Sequence, residues 1–199
     1  MLQPPSPIAS VCVYCGSSGA ADPQYLAAAA DFGRLLADSG VRLIYGGGGV
    51  GLMGACARAA HDAGGKVLGV MPEFLRMREA LYDEVETVVV ATMHERKQIM
   101  FEQADGFAVF PGGIGTLEEV VELMSWRRLD LHRKPIVFFS PRGFWAPLFD
   151  LIDHTVQESM TPAAFKDTFC AVERVEDILP AMAAMGDPSA PAGAVPLLM

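Results

Sequence analysis

The chain has 199 residues, 51% of them hydrophobic, and its 24 acidic against 15 basic side chains give a formal charge of −9 and a pI near 4.8. That length suits one domain with helices covering both faces of a sheet, while the acidic balance excludes general affinity for nucleic acid or anionic membrane, which needs an electropositive footprint. The proline-rich stretch Met1–Pro7 and the interruption at Asp22-Pro23 leave no basic-then-apolar leader, and no run reaches the length of a membrane span, so a cytoplasmic protein is expected.

In chain order, Ser10–Tyr14 is an apolar run of the kind a strand buried on both faces shows. Cys15-Gly-Ser-Ser-Gly19 follows as a small-residue loop, and Pro23 opens an Ala- and Leu-rich helix to Asp38, stopped at Gly40. The unit repeats with strand Val41–Tyr45, the glycines Gly46–Gly49, and helix Gly51–Ala63 ending at Gly64-Gly65. A third strand, Lys66–Val70, ends at Pro72. An irregular charged stretch, Glu73–Asp83, precedes a fourth strand, Glu86–Val90.

Thr92 can cap a helix Met93–Gln103 that leads to the fifth strand, Gly106–Phe110. After the turn Pro111–Thr116 comes an amphipathic helix from about Leu117 to Leu129. Pro135–Phe139 is a sixth strand, Phe144–Gln157 a helix, Phe169–Val172 an edge strand and Val175–Met185 a last helix. Strands and helices alternating at this spacing predict a doubly wound, mainly parallel α/β sheet of Rossmann-like kind with helices on both faces. A single nucleotide-binding domain over residues 1–185 is expected, with a Pro-, Ala- and Gly-rich disordered tail over 186–199. Ligands in such sheets bind beyond the carboxyl ends of the strands. That rule gathers the loops Cys15–Gly19, Gly46–Gly51, Pro72–Leu75 and Pro111–Thr116 along one edge.

The turn Pro111-Gly-Gly-Ile-Gly-Thr116 carries the strongest chemical signal. Gly112, Gly113 and Gly115 let the backbone come close to a ligand, and the helix that follows offers unpaired N–H groups and a positive dipole end to a phosphate. Thr116 and Glu119 also fit a Thr-x-x-Glu capping box, which would make Glu119 a helix-start residue. The other reading places a carboxylate beside the phosphate cradle, where it stabilises a sugar cation or orients water. Arg96 and Lys97 fall in the first turn or so of their helix, on the loop edge, where two cations oppose the dipole and imply an anion or carboxylate partner.

Other patterns are weaker. Gly46-x-Gly48-x-x-Gly51, with Glu73 further on, matches a dinucleotide fingerprint but follows the second strand rather than the first. No P-loop is present, and His94-Glu95 lacks the second zinc-protease histidine because position 98 is Gln98. Cys12, Cys15, Cys56 and Cys170 are few and irregularly spaced, so reduced thiols are expected, and Cys12-x-x-Cys15 lacks the further ligands a metal site needs.

Taken together, Pro111–Glu119 (PGGIGTLEE), Tyr45–Gly54 (YGGGGVGLMG), Val13–Ser18 (VYCGSS) and Met93–Lys97 (MHERK) make the chain similar to the Lonely Guy family of cytokinin-activating phosphoribohydrolases, from about Ser10 to Ile152. The resemblance implies hydrolysis of the N-glycosidic bond of a nucleoside 5′-monophosphate, cytokinin riboside monophosphate or AMP, to free base and ribose 5-phosphate. It implies Arg96 and Glu119 as the catalytic pair. Gly112, Gly113, Gly115 and Thr116 would hold the phosphate, and Ser17, Gly46, Gly47, Met53, Glu73 and Lys97 would complete the substrate site. It implies a homodimer, no cofactor and no metal. The alternative is a non-catalytic nucleotide or cofactor carrier on the same scaffold. Arg76–Asp83 is outside the matching motifs, is placed to line the base pocket, and leaves base preference open.

Overall fold

The computed structural model describes residues 8–76 and 82–186. The expectations for the tail from 187 onward and for most of Arg76–Asp83 therefore lie outside the described residues. Strands β1 (Ser10–Tyr14), β2 (Arg42–Tyr45), β3 (Val67–Pro72), β4 (Glu86–Val90), β5 (Gly106–Val109), β6 (Ile136–Phe139) and β7 (Cys170–Val172) form one sheet of seven strands in the order β4-β3-β2-β1-β5-β6-β7. Every pairing is parallel, which makes the sheet wholly rather than mainly parallel. Strand order reverses between β1 and β5, and crevices at such a reversal are where ligands enter.

The helices are α1 (Pro23–Asp38), α2 (Gly51–Asp62), a single turn α3 (Glu73–Arg76), α4 (Met93–Gln103), α5 (Ile114–Arg128), α6 (Ala146–Gln157) and α7 (Ile178–Gly186). Local chemistry sets their ends. The Asp22 carboxylate accepts from Gln24 N at 2.9 Å ahead of Pro23, and Gly40 takes φ +68° after α1. Thr92 and Glu95 form a reciprocal capping box at α4, as the expected cap at Thr92 required. The helix expected from Phe144 begins two residues later, because a 3-10 turn over Pro141–Gly143 with Arg142 at φ 55° precedes it. Val175–Asp177 is likewise 3-10 before α7, and the 3-10 turn Ala163–Thr168 was not foreseen.

Successive residues of each strand point to opposite faces. Val11 and Val13 of β1 join Phe32, Leu36, Leu43 and Phe110 in one core layer beneath α1, α2 and α7. Cys12 and Tyr14 join Ile44, Leu68, Val70, Phe107 and Val109 in the other, with Met100 of α4 and Val120 and Leu123 of α5. Burial of each such side chain contributes about 1.5–3 kcal/mol. Two full layers hold the sheet rigid, so loops at its carboxyl edge are presented from a fixed base. Among the described residues no helix is long and apolar enough to cross a membrane.

Candidate active site

Three loops are stitched together at that edge. Gly16 N donates to Pro111 O at 3.0 Å and Leu52 N donates to Gly16 O at 3.0 Å, so the turns after β1 and β5 and the start of α2 share one bond network. A Cβ at Gly51 (φ +61°) would lie 2.6 Å from the carbonyl carbon of Ser17, so only glycine lets the loop carrying Ser17 close over α2. Ser17 itself is exposed on this rim.

Helix α5 starts earlier than its sequence pattern suggested. Gly113 is the N-cap, with extended backbone and no side-chain cap, and Leu117 N makes the first intrahelical bond, to Gly113 O at 3.0 Å. The amides of Ile114, Gly115 and Thr116 therefore precede that ladder. Thr116 is the third helical residue, not the cap, so the capping box expected from Thr116 and Glu119 does not form. The glycine turn puts the N-cap three residues upstream of the threonine. Thr116 instead packs over Gly112, where a Cβ would sit 2.6 Å from its own Cβ. Gly113 and Gly115 face open space, so the turn presents bare backbone at a positive helix end.

Glu119 follows Thr116 by three residues and so stands about one helical turn deeper on the same face. Both are buried, Glu119 at 7% exposure. Its Oε1 lies 3.3 Å from Nη1 of Arg96, itself 6% exposed, so the two helices meet in a buried ion pair. Arg96 Nε donates to Val70 O at 3.2 Å and Nη2 to Gly46 O at 3.4 Å, and Met93 Sδ is 4.0 Å from Nη1. The guanidinium is thus fixed from β3, the turn after β2 and α5 together. Negative charge at Glu119 is felt on β1: burial first, then neighbouring charges including Glu119, holds the Cys12 thiol and Tyr14 phenol well above their usual ranges. Burial likewise raises the thiol of Cys15, so both members of the Cys-x-x-Cys pair are inert core groups.

Gly46 has a role that its place in a dinucleotide fingerprint did not suggest. A Cβ there would overlap Arg96 Nη2, lie 3.1 Å from Arg96 Cζ and 3.2 Å from Met53 Sδ. The close approach that glycine permits is by the arginine. Met53 packs over the same spot from α2. Gly47 (φ +83°) lies against Met71 of β3. Glu73 is exposed on α3, 3.3 Å from Arg76, outside this cluster.

Lys97, the other cation of the pair, turns to the exposed side of α5. Its Nζ donates to Glu118 Oε1 and lies 2.8 Å from Glu122 Oε2. Burial lowers the ammonium pKa, but the hydrogen bonds and charges of Glu118 and Glu122 outweigh it and raise the value overall. Val70, whose carbonyl anchors Arg96, and Tyr14, which lies beneath the pair, were not singled out from sequence. Strand alternation turns Tyr14 toward the α5 face, but no sequence pattern marks the carbonyl of Val70.

The family model described as possible lysine decarboxylase matches residues 53–182. A probable cytokinin riboside 5′-monophosphate phosphoribohydrolase of Oryza sativa subsp. japonica, LOG4, is 38% identical over 87% of this chain and 76% of its own length. The cytokinin riboside 5′-monophosphate phosphoribohydrolase LOG of the same plant is 44% identical over 74% of this chain and 62% of its own length. LOG7 of Arabidopsis thaliana is 44% identical over 74% of this chain and 69% of its own length. Among solved structures, the molybdenum cofactor carrier protein of Chlamydomonas reinhardtii superposes with a TM-score of 0.67 at 20% identity, covering 88% of this chain and 96% of that one. The molybdenum cofactor binding protein of Rippkaea orientalis gives 0.64 at 22%, covering 86% and 93%. At those identities the likeness is one of fold. The sequence relatives and the family model go further: the chain belongs to the Lonely Guy family of cytokinin riboside 5′-monophosphate phosphoribohydrolases.

Proposed function

We propose that the protein hydrolyses the N-glycosidic bond of a nucleoside 5′-monophosphate, releasing free base and ribose 5-phosphate. The observation that carries this reading is the buried Arg96–Glu119 pair, set one helical turn behind an open glycine turn at a helix N-terminus. The phosphate is held by the amides around Gly112–Thr116, with Ser17 on the rim, and this places C1′ toward Glu119. Water adds its oxygen to C1′ as the C1′–N bond breaks and its electron pair leaves on the base. Positive charge builds on the sugar in that step, and a desolvated carboxylate opposes it strongly. The proton lost by water passes through Glu119 to the departing base. Arg96 fixes the carboxylate in place, and its three anchors leave it little freedom to move.

Lysine decarboxylation is disfavoured by the lysines themselves. A Schiff-base amine needs a lowered pKa, whereas that of Lys97 is raised by two carboxylates. The ammonium of Lys134 is lowered by burial, but it precedes β6 at the opposite end of the sheet and donates to Phe101 O. Lys166 pairs with Asp153 at 2.7 Å, and Lys66 directly precedes β3, at the end of the sheet away from the site.

The homodimer implied by the resemblance is supported by an exposed apolar groove between α5 and α6, lined by Val121, Leu129 and Leu151. The test incubates pure protein with AMP, N6-isopentenyladenosine 5′-monophosphate and the matching nucleosides, and reads free base by chromatography. Base is expected from the monophosphates and far less from the nucleosides, since the phosphate supplies the binding energy used at C1′. Tight binding of a monophosphate with no base released would favour a carrier.

A further inference from the structure

The first three turns of α5 carry Glu118, Glu119 and Glu122, yet of these only Glu119 meets Arg96. Glu118 and Glu122 are four apart, on one face, where like charges repel. Glu119 is about 100° round the helix from Glu118, facing inward. Arg96 and Lys97 are offset by the same angle on α4. The two helices therefore face each other with matched pairs, Arg96 to Glu119 inside and Lys97 to Glu118 and Glu122 at the rim. One turn further on, Phe101 meets Trp126 edge to face, with centroids 5.0 Å apart. Phe101 is Lys97 plus four and Trp126 is Glu122 plus four, so the contacts are successive rungs between helices running the same way.

Resting on the proposed function, we infer that Lys97 is a positioning residue, not a phosphate ligand: through Glu118 and Glu122 it ties α4 to α5 and so holds Glu119 toward the sugar. Its side chain is 11% exposed, and both carboxylates lie within hydrogen-bond reach of its ammonium. Releasing a phosphate-binding hand from two anions to grip a third would leave two like charges unopposed. The single ammonium also offsets part of the negative potential that the two outer carboxylates add beside Glu119.

The test compares Lys97→Met, Lys97→Arg and the double variant Glu118→Gln/Glu122→Gln with the unchanged protein, on AMP. Base release by the unchanged protein checks the proposed function separately. Lys97→Met is expected to lose kcat tenfold or more with KM within about threefold, and Lys97→Arg to recover most of it. The double variant is expected to lose kcat too, although it frees the ammonium. A phosphate ligand predicts the reverse, a raised KM for Lys97→Met and a lowered KM for the double variant, and that result would overturn the inference.

The pH profile gives a second reading. Glu119 pairs with Arg96 from α4, shares its helix with Glu118 and Glu122, which turn to Lys97, and its charge acts on Cys12 and Tyr14 of β1 and on Cys15 just after it. The acidic limb should move to higher pH in Lys97→Met and to lower pH in the double variant, opposite shifts that mere loosening of the fold would not give. If the unchanged protein releases no base, melting temperatures decide: losses in Lys97→Met and Glu119→Gln should be non-additive when combined. Additive losses would sink the inference.

Discussion

Adding one methyl group at Gly46 should disable the site by unseating Arg96, while leaving the glycine turn Gly112–Thr116 unchanged. In Gly46→Ala the new Cβ falls on Arg96 Nη2, 3.1 Å from Cζ and 3.2 Å from Met53 Sδ. The methionine can bend away; the guanidinium, held by Val70 O, Gly46 O and Glu119, cannot without breaking those bonds. Overpacking of a tight interior costs about 1–3 kcal/mol, and fully separating a buried ion pair about 3–5 kcal/mol. Partial displacement is the cheaper path, so a loss of about 1–3 kcal/mol is expected, which for a chain of this size lowers Tm by roughly 2–12 °C. Moving Arg96 by even 1 Å shifts Glu119, and single-turnover base release from AMP should fall about a hundredfold. Gly113→Ala is the control, because a Cβ there meets nothing within 4 Å and its φ of −99° suits alanine, so stability should change by less than about 0.5 kcal/mol. A Gly46→Ala protein that melts and turns over like the unchanged one would show that the arginine's seat is not what glycine is there to provide.

Three further outcomes follow from other parts of the site and core. Glu119→Gln removes a charge buried at 7% exposure beside Arg96, so thermal unfolding should show a drop of a few degrees while single-turnover cleavage falls about a hundredfold or more. Gly115→Ala fills open space in the first turn of α5, so helix propensity should add about 0.5–1 kcal/mol to stability while the methyl weakens AMP binding in calorimetry, and a rise in both would refute the backbone cradle. His132 is buried, donates from Nε2 to Leu123 O at 3.1 Å, and has its pKa lowered chiefly by burial. Its unfolded form takes up a proton first, so stability is complete above pH 6.5 and is lost as pH falls from there toward the folded value. Urea melts between pH 7.5 and 5 should show that loss reduced in His132→Phe.

Much of this was legible along the chain. Apolar runs closed by glycine or proline marked the strands, because parallel strands covered on both faces leave no polar alternation to read. Thr92-x-x-Glu95 and Thr116-x-x-Glu119 carry the same capping signature, and only the first forms. Three glycines before Thr116 let the chain enter the helix earlier, a choice that depends on how the turn meets Gly16 and that no local pattern encodes. The cost of two cations at the start of α4 implied an anion or a carboxylate partner, and the structure supplies carboxylates, but which cation takes which depends on the angular offset of two helices about 20 residues apart. Gly46 illustrates the same limit: sequence says that something approaches a glycine closely, and only packing says that it is Arg96.

The strand order also fixes when the site can come into being. Strands β1 to β4 are linked in sequence and pair with near neighbours, as Val11 with Leu43, whereas β1 must find β5 across a far longer closure, Val11 with Gly106. Helix α4 carries the chain back from the outer edge to the centre to make that pairing. Arg96 rides on this return segment and Glu119 lies beyond it. The full seat of Arg96, with Val70 O and Gly46 O on one side and Glu119 on the other, is therefore complete only once the two halves of the sheet have joined. In pulse-labelled hydrogen exchange, β1–β2 amides should gain protection before those of β5 and α5. Nucleotide bound across the joined halves, as proposed, should slow unfolding without speeding the early phase.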